Sequence, residues 1–139
     1  MNQSNPNSQL ILLVDDEADF REIFSMKLKA AGFVVELAED GLQGIEKAKI
    51  LKPDLILMDV KMPGMDGVEA LSRIKADLSI SKTKVVFLTS YGEPLPVEEI
   101  QKNDRKFAQE LGAMDYIRKS DDLDEIVNVI KKILGKNSS

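Results

Sequence analysis

Leu55-Ile56-Leu57-Met58-Asp59 is a run of four apolar residues closed by a carboxylate, and its reading decides the fold. Four apolar residues in succession do not alternate with polar ones. A strand built from them is covered on both faces, as strands of parallel sheets are. Leu10-Ile11-Leu12-Leu13-Val14 and Val85-Val86-Phe87-Leu88 have the same character. With shorter apolar stretches at 33–37 and 114–117 they predict strands over 9–14, 33–37, 54–58, 84–88 and 114–117. The intervening segments change period. Phe20, Phe24, Leu28 and Ala31 form a helical stripe, as do Leu42, Ile45 and Ala48, then Val68, Leu71, Ile74 and Leu78. Leu123, Ile126, Val127, Ile130 and Leu134 repeat it near the end. Gly32 and Gly112 stand where helices stop, and Pro53 and Pro63 mark loops. Strand and helix therefore alternate, which predicts an α/β domain with a doubly wound five-stranded parallel sheet.

Composition narrows the chemistry. A chain of 139 residues suits one domain. It has no Cys and no His, so disulfides, thiolate metal sites, cysteine nucleophiles, the Ser-His-Asp triad and a phosphohistidine of its own are excluded. Carboxylates, hydroxyls and lysines remain. A net charge of -5 argues against nonspecific binding to nucleic acid or an anionic membrane. No apolar run approaches the ~20 residues of a membrane span, and the Asn/Ser-rich start lacks the pattern of a signal peptide. A cytoplasmic protein is expected. The expected division is a disordered tail over 1–8, the domain over 9–135, and a frayed end over 136–139, standing alone without an output segment.

In open parallel sheets ligands bind beyond the carboxyl ends of the strands, where strand order reverses. Asp15 and Asp16 follow the first strand, Asp59 the third, Thr89 the fourth and Lys119 the fifth. With strand order 2-1-3-4-5 these four ends lie side by side. Each residue alone has an ordinary reading: a helix cap, a strand former, a solvated lysine. Their coincidence at one sheet edge favours a site. Three clustered carboxylates repel by about 4 kcal/mol per pair at 4 Å and an effective dielectric of 20. Such a group holds protons or recruits a cation, and few hard oxygen ligands suit Mg²⁺, with Mn²⁺ able to replace it. A nearby lysine and hydroxyl equip the site to bind a phosphoryl group on a carboxylate. No glycine-rich P-loop is present, so a bound nucleotide is not expected.

The stretch Met58-Asp59-Val60-Lys61-Met62-Pro63-Gly64-Met65-Asp66-Gly67 resembles the phosphorylation motif of the response-regulator receiver domain of two-component signalling. Val14-Asp15-Asp16-Glu17 resembles that family's acidic pair, Leu88-Thr89-Ser90 its hydroxyl, and Asp115-Tyr116-Ile117-Arg118-Lys119 its switch aromatic and lysine. The resemblance implies a flavodoxin-like (βα)5 fold and a phosphoacceptor switch, not a turnover enzyme. It implies Asp59 as acceptor, with Asp16, Asp59 and the Lys61 carbonyl on Mg²⁺ and Asp15 acting through water. Lys119 and Thr89 are implied as phosphoryl partners, with Tyr116 moving behind Thr89. The implied donor is a sensor histidine kinase or a histidine phosphotransfer protein. The readout surface would be the fourth helix, fifth strand and fifth helix, in a monomer or a phosphorylation-dependent dimer.

Three departures stand out. Ser120 replaces the proline usual after the lysine, which predicts an altered seat for Lys119. The interval from Thr89 to Lys119 is long, with a loop at 92–96 and a delayed fourth helix reaching Leu111. Lys61 and Tyr91 occupy variable positions expected to tune hydrolysis. The competing readings are a phosphorelay intermediate, a receiver-like adaptor that is never phosphorylated, and a phosphohydrolase of the haloacid dehalogenase type. The last wants an Asp two residues after its nucleophile, where this chain has Lys61.

Overall fold

The computed structural model describes residues 8–90 and 104–135. Its elements are β1 (Leu10–Val14), α1 (Ala18–Ala30), β2 (Val34–Ala38), α2 (Gly41–Leu51), β3 (Leu55–Asp59), α3 (Gly67–Ala76), β4 (Lys84–Thr89), α4 (Asp104–Leu111), β5 (Asp115–Arg118) and α5 (Leu123–Ile133). The five strands form one parallel sheet in the order β2-β1-β3-β4-β5. This is the predicted order.

Burial follows from the sequence pattern. Ile11, Leu13, Leu55, Leu57, Val86 and Leu88 meet Phe24 and Leu28 of α1 and Ile126, Val127 and Ile130 of α5 on one face. The alternate residues Leu12, Val14, Ile56, Met58, Val85 and Phe87 meet Ile45 and Ala48 of α2, Leu71 and Ile74 of α3, and Ala108 of α4 on the other. The continuous apolar runs are thus split residue by residue between two cores, as the period of a strand requires. Edge strand β2 instead exposes Val34 and Glu36 and buries Val35 and Ala38.

Three helices start on carboxylates that cap them. Asp40 accepts from the Gln43 amide, Asp66 from Glu69, and Asp122 from Asp124 and Glu125. Each satisfies amides that have no partner in a first helical turn.

Four strands run one residue further than the pattern predicts, to Ala38, Asp59, Thr89 and Arg118. Backbone bonds carry the ladder past the last apolar residue: Val60 donates to Leu88 O at 3.0 Å and Lys119 to Thr89 O at 2.8 Å. Leu78, placed in the stripe of the third helix, is 94% exposed. The helix stops before it because the Asp77 carboxylate captures the amide and hydroxyl of Ser79, an alternative to another helical turn. Leu42 is exposed as well. The expected tail at 1–7, the end at 136–139, Tyr91 and the 92–96 loop lie outside the described residues. So does the delayed fourth helix before Asp104. Among the described residues no helix is long and apolar enough to cross a membrane.

Candidate functional site

The sheet gathers Asp15, Asp16 and Asp59 at the carboxyl ends of β1 and β3, with ligand oxygens all within 4.8 Å of one another. Asp15 and Asp59 are buried, while Asp16 is exposed. Strand register explains the pairing. Val14 lies opposite Met58, so the residues that follow, Asp15 and Asp59, leave adjacent strands at the same level. By strand alternation both belong to the face covered by α1 and α5.

The loop after β3 is held tightly beneath Asp59. The Gly67 amide donates to Val60 O at 2.7 Å, and a Cβ on Gly67 would lie 2.3 Å from Asp59 O. Only glycine fits there. Gly64 turns the loop at φ 77°, a left-handed conformation that suits glycine. The Lys61 amide points at Asp59 Oδ1 from 3.4 Å, while its side chain is exposed.

Lys119 enters this cluster from the end of β5. Its Nζ lies 2.7 Å from Asp15 Oδ2, 2.5 Å from Glu17 Oε1 and 3.4 Å from Asp59 Oδ2. It also stands 4.9 Å from the centroid of the Phe20 ring, within cation–π reach. Lys119 thus reaches the acids with Ser120, not proline, next in the chain. Asp15 Oδ1 accepts the Glu17 amide at 2.8 Å, and Arg21 clamps the Asp15 carbonyl at 2.7 Å. Asp15 Oδ2 is buried and has no aligned hydrogen bond; the ammonium beside it is an ionic contact only.

The charges remain incompletely compensated. Burial, then the Asp15 charge, push the Asp59 carboxyl up to about 8 against the opposing pull of Lys119, with Asp16 adding to the rise. Burial also raises Asp15, despite the Lys119 charge beside it and the bond from the Glu17 amide. For Lys119, burial disfavours the ammonium, but its contacts with Asp15 and Glu17 outweigh that and raise its pKa. A cluster that would rather hold a proton than ionise is short of positive charge.

Thr89 is buried at the end of β4. Asp59 pairs with Leu88, so Thr89 lies one step beyond on the neighbouring strand and on the opposite face. Tyr116 pairs with Phe87 and is half-buried against the core beneath α2, α3 and α4, the face of Thr89. The structure therefore gathers Asp15, Asp16, Asp59 and Lys119, and sets Thr89 and Tyr116 on one shared face beside them. Sequence reading passed over Glu17 and Phe20. Glu17 was visible only as the third acid of Asp15-Asp16-Glu17, and Phe20 only as the start of an apolar stripe.

A divalent cation fits these residues. The donors are all carboxylate oxygens, the spacing is compact, and a buried Asp15 oxygen lacks an aligned donor. Hard oxygen ligands in small number favour Mg²⁺ over softer metals.

Two buried carboxylates and an exposed one face a lysine at the carboxyl edge of a 2-1-3-4-5 sheet. A family model of the response regulator receiver domain matches residues 11–131. The chain belongs to that family. It is 35% identical over 133 residues to sporulation initiation phosphotransferase F of Bacillus subtilis, covering 95% of this chain and 98% of that protein. It is 33% identical to regulatory protein AtoC of Escherichia coli, covering 92% of this chain but only 26% of that one. Among solved structures it resembles chemotaxis protein CheY4 of Vibrio cholerae, with a TM-score of 0.76, 27% identity, and coverage of 91% and 98%. A CheY-like receiver domain protein of Methanospirillum hungatei gives a TM-score of 0.78 at 26% identity, with coverage of 94% and 96%.

Proposed function

We propose that residues 9–135 act as a phosphoacceptor switch in which Asp59 takes a phosphoryl group from a phosphohistidine. The donor would be a sensor histidine kinase or a histidine phosphotransfer protein, since this chain has no His. An Asp59 oxygen attacks phosphorus, the N–P bond breaks, and the imidazole leaves with a proton as the acyl phosphate forms. The observation that carries this reading is the seat of Asp59: buried, within 4.8 Å of two further carboxylates, and 3.4 Å from an ammonium.

The chain's residues divide the work. Asp16 and Asp59, with the Lys61 carbonyl, would hold Mg²⁺, and Asp15 would act through water because its own oxygens face the Glu17 amide and Lys119. Bound Mg²⁺ would supply the positive charge that the cluster lacks and screen the incoming phosphoryl oxygens. Lys119 pairs with one of those oxygens, and Thr89 donates its hydroxyl to another. Tyr116, on the face of Thr89, follows that hydroxyl and passes the change to α4, β5 and α5. Phosphorylation thereby favours one of two conformations through contacts made only in that state. The chain is then an acceptor that is loaded and cleared, acting in the cytoplasm on a protein target and not on nucleic acid.

Relay of the phosphoryl group to a second histidine is a further reading. The match along the whole length of a protein named a phosphotransferase favours it.

Intact mass after incubation with Mg²⁺ and acetyl phosphate tests the proposal. The chain should gain one phosphoryl group, and Asp59→Asn should gain none. An equal gain in the variant would remove Asp59 from its role. Loss of the label to an added histidine phosphotransfer protein would distinguish relay from a terminal switch.

A further inference from the structure

Glu17 has no part in the chemistry above, yet it makes the shortest contact of Lys119, at 2.5 Å. Its position makes that contact unusual. Glu17 is the N-cap residue of α1, but its side chain makes no capping bond. Asp15 accepts Glu17's own amide at 2.8 Å, while the Glu17 carboxylate reaches across to Lys119 at the end of β5. The two ends of this contact differ sharply in environment. The Lys119 side chain is 9% exposed, whereas that of Glu17 is 59% exposed. Lys119 is also backed by the Phe20 ring, so it has little freedom to leave the edge altogether.

Resting on the reading of Asp59 as phosphoacceptor, we propose that Glu17 is a positioning residue, a latch that withholds Lys119 from Asp59 until a phosphoryl group arrives. At rest the ammonium is shared between Asp15 and Glu17 and only approaches Asp59, which leaves the acceptor carboxylate open to a cation. To meet a phosphoryl oxygen on Asp59, Lys119 must give up a contact. Asp15 is fully buried and would be left charged without a partner, which is costly. Glu17 faces water, which solvates it when released. It is the partner that lets go.

Two effects of opposite sign follow from Glu17→Gln. With the latch gone, Lys119 settles closer to Asp59 and Asp15 and competes with the metal, so Mg²⁺ binds more weakly. At saturating Mg²⁺ the same lysine is freer to meet phosphoryl oxygens, so the donor is captured more readily. The scale is that of a half-exposed ion pair, about two- to fivefold in each direction. A variant that merely loosened the fold would weaken both.

The test uses the full chain. The Mg²⁺ Kd is measured by calorimetry without any donor. The KM for acetyl phosphate is measured by intact mass at saturating Mg²⁺. Glu17→Gln should raise the Mg²⁺ Kd and lower the KM, each about two- to fivefold. Asp19→Asn is the control for simple loss of negative charge, because Asp19 is an exposed acid in the first turn of the same helix. It should move neither constant by more than about 1.5-fold at an ionic strength where the Debye length is near 8 Å. Equal shifts in the two variants would overturn the latch in favour of a general field effect. Unchanged constants in Glu17→Gln would overturn it outright. If the parent chain gains no phosphoryl group at all, the reading of Asp59 fails, and the Mg²⁺ titration still decides whether Glu17 governs Lys119.

Discussion

Asp59 and Asp77 are the same residue type at opposite ends of one sheet, and the fold treats them in opposite ways. At the amino ends of the strands, Asp77 receives both the amide and the hydroxyl of Ser79, and Lys49 adds an ion pair at 3.2 Å. Those bonds from Ser79, and then Lys49, lower its carboxyl to about 2. Around it Lys52 donates to Ser79 O, Lys75 to Ser81 O and Lys84 to Ile133 O. Lysines at this end tie down carbonyls that would otherwise lack partners, where helix C-termini favour positive charge. At the carboxyl ends, Asp59 is buried beside two other acids and pushed up to about 8. One end is arranged for stability. The other gathers carboxyls short of positive charge, the setting in which the proposed metal and phosphoryl group would bind.

The comparison breaks most visibly if the same lysine substitution is made at both ends. Lys119→Met should cost about 3 kcal/mol at pH 8 by urea unfolding, because buried Asp15 loses its counter-charge. Part of that loss should return on adding Mg²⁺. Lys49→Met removes an exposed lysine from a half-buried carboxylate that keeps both Ser79 bonds, and should change stability little. Similar losses at both ends would dissolve the distinction.

Gly67→Ala comes next. The added methyl would lie 2.3 Å from Asp59 O, so the loop carrying Asp59 must shift. Overpacking of this kind costs about 1–3 kcal/mol. The Mg²⁺ affinity of the variant should fall with its stability, since the same backbone positions the Asp59 carboxylate.

Asp77→Asn gives the smallest effect and sharpens the contrast through pH. A carboxyl lowered to about 2 in the fold contributes stability that is present above its ordinary pKa and is lost as pH falls through about 2. The variant should therefore be slightly less stable than the parent at neutral pH, with the gap closing on acidification from about 4 to about 2. Thermal melts across that range read it.

The sequence carried the architecture well for particular physical reasons. Continuous runs such as Leu55-Ile56-Leu57-Met58 suit strands covered on both sides, and the helical stripes between them mark the segments that cover the sheet. Asp15, Asp16, Asp59 and Lys119 were legible because all stand at the carboxyl ends of strands that the 2-1-3-4-5 order sets near one another. Local competition was harder to read. Leu78 fits the helical period, but the Asp77 carboxylate ends α3 before it. The role of Glu17 was invisible because its partner is 102 residues away in the chain. An N-cap carboxylate is ordinarily read as capping its own helix, and only the closed fold shows that Glu17 makes no such bond and meets Lys119 instead.

The most direct test of the contrast between the two ends is urea unfolding of the parent and Asp59→Asn at pH 5 and pH 8, without metal. In the parent, a folded-state carboxyl at about 8 holds its proton more tightly than in the unfolded chain, so stability falls as pH rises from about 4 towards 8. Asparagine cannot ionise. The variant should be the more stable protein, and its advantage should widen between pH 5 and pH 8 by on the order of 1 kcal/mol. An advantage that stays the same at both pH values, or a variant less stable at pH 8, would mean that Asp59 carries no uncompensated charge, and would contradict the account.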